Sequence, residues 1–190
     1  MTRAAAPASA LADVWSWPLP EEAYVPGRTT RPESGDVFDI AEAAPDVTDP
    51  ACWRDNEAWL AGFRLYRAGY FWEAHEVWEP VWMGARPNSA ERALAQGVIQ
   101  LANACLKLRM ERPKAAARLV ALAGECLADA TSGGQAREVM GLDMVALRTA
   151  ITRFAGELSL GPEAALAQRP VLRLQDTPHQ KNMHHNAYLA

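Results

Sequence analysis

The sequence predicts an all-α fold, a compact antiparallel bundle of about five helices with an extended N-terminal arm, and three observations predict it. Beyond residue 49, apolar residues recur at helical spacing, helix starts and stops punctuate the chain, and the connections between them are short. Proline and glycine mark the edges. Seven of the 13 prolines fall in the first 50 residues, where helical periodicity is weak. This divides the chain into a Pro-rich arm over 1–48, a helical bundle over 49–160 and a C-terminal tail over 161–190. Within the arm, residues 1–12 read as disordered. Residues 13–48 carry Trp15, Trp17, Tyr24, Val25, Phe38 and Ile40, more apolar surface than a solvated tail holds, and so should dock on the bundle or on a neighbouring subunit.

The helices follow in order. Asp49 and Pro50 read as the N-cap and first residue of a helix whose body, Trp53–Ala68, ends at Gly69. A second runs from Tyr70 to about Met83. Asn88, with Glu91 three residues on, reads as the capping pair of a third over 89–110. Pro113 opens a fourth, to about Ala130, which Ser132-Gly133-Gly134 stops; a fifth spans about Leu142–Leu158, before Gly161-Pro162. Val171–Leu174 reads as a short strand or docking segment.

Composition narrows the function classes. With 190 residues, 49% apolar, the chain can bury a core without staples. A net charge of −4 argues against nucleic acid as a partner, and no run of 18 apolar residues supplies a membrane span. Three scattered cysteines, Cys52, Cys105 and Cys126, fit reduced thiols in a cytoplasmic protein. Neither a phosphate-binding glycine loop nor a nucleophile elbow is present. Arg109, Arg112 and Arg118, with Lys107 and Lys114, cluster near the turn between the third and fourth helices, and a solvated face is the ordinary reading.

The second helix carries the chemistry. On a helical wheel His75, Glu76 and Glu79 share an arc of about 100°, with Trp72 inside it, Trp82 at its border and Glu73 about 60° outside. No basic residue lies between Arg67 and Arg86, so the two carboxylates need a proton, an imidazolium or a metal between them. On the third helix Gln96, Gln100, Asn103 and Lys107 form one stripe, while apolar residues such as Leu94, Val98, Leu101 and Cys105 cover most of the circumference. Buried amides need partners, and the carboxylates of the preceding helix are the first choice. Gly97 and Ala102 are small enough for close helix approach.

The run from Gly69 to Glu79 (Gly-Tyr-Phe-Trp-Glu-Ala-His-Glu-Val-Trp-Glu), then Trp82, then Gln96-Gly97-Val98-Ile99-Gln100-Leu101-Ala102, resembles a bacterial and archaeal family known as domain of unknown function 309. Its hallmark is a G-x-Y-x-E-A-H-E-x-x-E-x-x-W helix followed by a Q-G-x-I-Q-x-A helix, and the resemblance covers about 49–130. It implies a compact all-helical fold and no established activity. Glu73, His75, Glu76, Glu79, Trp82, Gln96 and Gln100 are the positions it singles out. Pro80 departs from the pattern: inside the helix it removes a bond to the Glu76 carbonyl and should kink the chain before Trp82.

Three readings stay open. His75 and Glu79 are candidate ligands of a divalent metal ion, with Glu76 as third ligand or general base. In a metal-free site, His75, Glu76 and Glu79 would do acid–base work, and Glu73, Trp72, Trp82, Gln96, Gln100 and Asn103 would hold a small-molecule ligand. In the third reading the cluster is a buried network that fixes helix register in a scaffold or partner-binding module, compatible with a homo-oligomer.

Overall fold

The computed structural model describes residues 19–132 and 137–175. Its elements in chain order are α1 (Asp36–Glu42), a 3-10 turn (Pro50–Asp55), α2 (Glu57–Ala68), α3 (Phe71–Gly84), α4 (Ala90–Arg109), α5 (Pro113–Thr131), strands β1 (Glu138–Val139) and β2 (Leu142–Asp143), α6 (Met144–Glu157), a second 3-10 turn (Leu158–Leu160) and α7 (Pro162–Ala167). The fold is all-α, as predicted. The two-residue strands pair antiparallel, Glu138 opposite Asp143 and Val139 opposite Leu142.

Local chemistry sets the helix ends. The Asn56 side chain accepts the Trp59 N–H at 2.9 Å, which opens α2. The predicted helix from Asp49 therefore breaks in two: Asp49 accepts the Ala51 N–H and starts only the 3-10 turn, because Cys52 and then Asn56 leave helical geometry. Gly69 closes α2 at φ 90°, a left-handed conformation in which its N–H reaches the Leu65 and Tyr66 carbonyls. At α4 the cap is Ser89, whose hydroxyl accepts the Arg92 N–H, and not Asn88, which sits one residue too early at φ 59°. Glu91 forms an ion pair with Arg86 at 3.7 Å instead of closing a capping box. The last large helix starts at Met144, since Leu142 and Asp143 are committed to the hairpin, and Asp143 caps it by accepting the Ala146 N–H. That bond holds the Asp143 carboxyl below its usual range.

The core is aromatic at the α2–α3 contact. Trp59, Phe63, Tyr66 and Trp78 are buried, with ring centroids 4.8 Å apart for Trp59–Phe63 and 5.2 Å for Phe63–Trp78. Trp78 donates its indole N–H to the Trp59 carbonyl at 3.0 Å, which requires its ring to lie flush on Gly62, where a Cβ would overlap it. α4 then packs between α3 and α5. Gly97 faces Leu127 and Ala123 of α5, so its close approach serves that contact and not the one with α3.

Residues 19–48 lie along α2 and α3, and within them α1 forms where the sequence predicts only extended chain. Val25 and Val37 are buried there, the Tyr70 hydroxyl donates to the Pro20 carbonyl at 2.8 Å, and Tyr24 meets Trp72 edge-on. Trp15, Trp17 and the expected disorder of 1–12 lie outside the described residues. At the other terminus Val171–Leu174 is not a strand. It docks with Leu172 and Leu174 buried; the Tyr66 hydroxyl holds the Pro170 carbonyl at 3.1 Å and the Gln175 N–H holds that of Gly141 at 2.7 Å. Cys105 is buried against the Tyr66 hydroxyl, and burial pushes its thiol up to about 12. Among the described residues no helix is long and apolar enough to cross a membrane.

Candidate functional site

α3 and α4 run past each other with polar side chains facing across the seam. His75, Glu79 and Trp82 from α3 and Gln96, Ile99, Gln100 and Asn103 from α4 line a cleft of about 150 Å³. The i, i+4, i+7 spacing on each helix brings these side chains to one face. His75 Nδ1 lies 2.9 Å from Asn103 Oδ1. A carboxamide oxygen only accepts, so Nδ1 carries the proton and, in the neutral ring, Nε2 keeps its lone pair. Among the described residues Nε2 has no hydrogen-bond partner, nor do Gln96 and Gln100. The amide stripe thus meets the imidazole, not the carboxylates expected as its partners. Lys107 lies outside the cleft lining, its ammonium 3.9 Å from the Met110 sulfur.

Pro80 lies inside α3, which runs from Phe71 to Gly84, and Trp82 lines the cleft with His75. Trp82 closes one end of the cleft with its indole Nε1 buried and, among the described residues, without a partner. Arg92 lies over its ring at 4.5 Å and donates to the Trp82 and Ala85 carbonyls, each at 2.9 Å. The Trp82 carbonyl also accepts the Ala85 N–H at 3.3 Å, so Arg92 adds a second donor there and a side-chain donor at Ala85. Arg92 falls four residues before Gln96 on the same stripe, and that spacing is the signal that could have found it.

Three other predicted positions are not in the cleft. Trp72 is covered by residues 19–48: Phe38 lies 6.0 Å from its ring and the Arg31 guanidinium sits 5.5 Å above it. Glu76, half-buried, does not line the cleft either. Burial pushes its carboxyl up, His75 and Arg31 oppose the shift, and Glu79 adds to it. Glu73 departs furthest from expectation. It is 1% exposed, turned to the opposite side of α3, with one carboxylate oxygen accepting the Tyr24 N–H at 2.6 Å. Burial raises its pKa, while that N–H and Arg109 pull it back. Tyr24 and Arg31, which build this second environment, carry no local signal of doing so.

The metal expectation fits these residues poorly. Among the described residues no three His, Cys, Asp or Glu side chains converge on one point. His75 and Glu79 supply two ligands, Glu76 is turned out of the cleft, and the remaining polar groups are neutral amides, weak ligands for a divalent ion. His179, His184 and His185 lie outside the described residues.

Residues 59–119 match the family described as Domain of unknown function (DUF309). The DUF309 match runs from α2 into the first turns of α5, so the whole cleft, Arg92 and Glu73 fall inside it, whereas residues 19–48 do not. No curated protein and no solved structure gives a significant match to the chain.

Proposed function

We propose that the α3–α4 cleft binds a small, uncharged polar ligand or head group, with His75 Nε2 as its hydrogen-bond acceptor and Glu79 beside it. The observation that carries this reading is the His75–Asn103 hydrogen bond, which fixes the imidazole tautomer and leaves the basic nitrogen uncommitted. The lining favours a neutral ligand. It holds one imidazole, one carboxylate and three amides but no lysine or arginine, so an anion would meet no cation. Arg92 already occupies a face of Trp82. Gln96 and Gln100 each offer a donor and an acceptor, the complement of an amide or urea group. Should the ligand react, His75 is placed to accept a proton and Glu79 to balance the resulting charge.

The test is an NMR titration of the full chain with small neutral amides and ureas, following the Trp82 indole N–H, assigned through Trp82→Phe. Saturable shifts in wild type that disappear in His75→Ala and Asn103→Ala are expected. A silent indole across the panel at tens of millimolar would remove the reading. One observation favours a second reading, a network that fixes helix register: the His75–Asn103 bond already satisfies a ring nitrogen and a carboxamide oxygen within the protein. The stability of Asn103→Ala separates the two.

A further inference from the structure

On the far side of α3 a second cavity, of about 330 Å³, lies between residues 19–40 and the α2–α3 pair. This volume is in the range of small-molecule sites. Leu19, Val37, Phe38, Ile40 and Leu65 make its wall largely hydrocarbon. Its charge is one-sided: Glu22 and Asp36, both exposed, and the buried Glu73 stand against a single guanidinium, Arg64. Glu73 is the unusual component. Its Oε1 accepts the Tyr24 N–H, but its Oε2 is buried and, among the described residues, has no hydrogen-bond partner. A carboxylate oxygen withdrawn from water without a donor costs free energy, and a bound donor would recover it.

We infer that this cavity is a binding site for a small primary amine with an apolar body, its ammonium against Glu73 Oε2 and its hydrocarbon against Phe38, Ile40 and Leu65. An ammonium brings both the missing donor and a second positive charge to a lining of three carboxylates and one guanidinium. An alcohol of the same shape brings only a donor, and a carboxylate of the same shape would meet Glu73 with like charge. The acidic mouth formed by Glu22 and Asp36 draws cations inward and turns anions away.

Calorimetric titration of the full chain with n-hexylamine, n-hexanol and hexanoate tests this. Hexylamine should saturate at one equivalent and bind at least tenfold more tightly than hexanol, with no heat from hexanoate. Glu73→Gln, nearly isosteric, should erase the tenfold preference. Ile40→Trp should abolish binding of both by filling the space without touching Glu73. His75→Ala should leave hexylamine binding unchanged, so the fate of this site is read separately from that of the α3–α4 cleft. The inference is overturned if wild type fails to bind hexylamine, if hexanol binds as tightly, or if hexylamine binding survives both Glu73→Gln and Ile40→Trp.

Discussion

Asn103→Ala removes the hydrogen bond between His75 and Asn103 across the cleft, and its cost can be worked from burial. His75 and Asn103 are each half-buried and meet at 2.9 Å. A bond of this kind contributes about 0.5–1.5 kcal/mol net, because water can replace the lost partner. The expected loss is therefore about 1 kcal/mol, or a fall in Tm of about 2–4 °C for a chain of this size. Urea unfolding should show a lower midpoint at unchanged slope. A double-mutant cycle with His75→Ala should return a coupling energy of about 1 kcal/mol. A coupling of about 3 kcal/mol or more would mean that the imidazole is left buried and unpaired once the amide is gone. The cluster would then be a structural element of the core, and the argument from half-burial would fail. A coupling near zero would show that the bond does not form in solution.

Other perturbations have equally definite outcomes. Gly62→Ala drives a methyl into the Trp78 indole and breaks its bond to the Trp59 carbonyl; overpacking and the lost bond together should cost about 3–5 kcal/mol in denaturant unfolding. Ser89→Ala removes the hydroxyl that caps α4 and should cost about 1 kcal/mol by the same measurement. Glu73→Gln should change how stability varies with pH. Burial raises the Glu73 carboxyl in the folded state, so the stability that protonated Glu73 supports is fully present below the unfolded pKa, near 4, and is lost as pH rises through the folded pKa. Melts from pH 4 to 8 should show Glu73→Gln gaining on wild type as pH rises, and a constant difference would contradict the burial argument.

The helical class was legible because the punctuation is local. Gly69 and Pro113 act within one turn of the chain, and both end or begin helices where the pattern places them. Caps were legible only to within a residue or more: Asp49 and Asn88 are sound cap residues, but Asn56 and Ser89 hold the geometry that leads into the α-helices. The meeting of His75 with the α4 amides follows from two periodic faces and a short loop, information that a helical wheel contains. What covers the rest of α3 is not in the wheel. Trp72 shares the arc of His75 and Glu73 sits off it, yet both end up under residues 19–48, because Tyr24, Phe38 and Arg31 reach them from more than 30 positions away in the chain. Long-range docking of that kind has no periodicity to read, and neither has the seating of Pro170 on Tyr66.

Glu73 and His75 are two residues apart, and two residues on a helix turn the chain through a little more than half a circle. One slender rod is thus the common partition of two chambers, and neither can be enlarged on that side without taking room from the other. Thermodynamics requires that any influence so transmitted be mutual: whatever an occupant on one side does to affinity on the other, it must receive in return by the same factor.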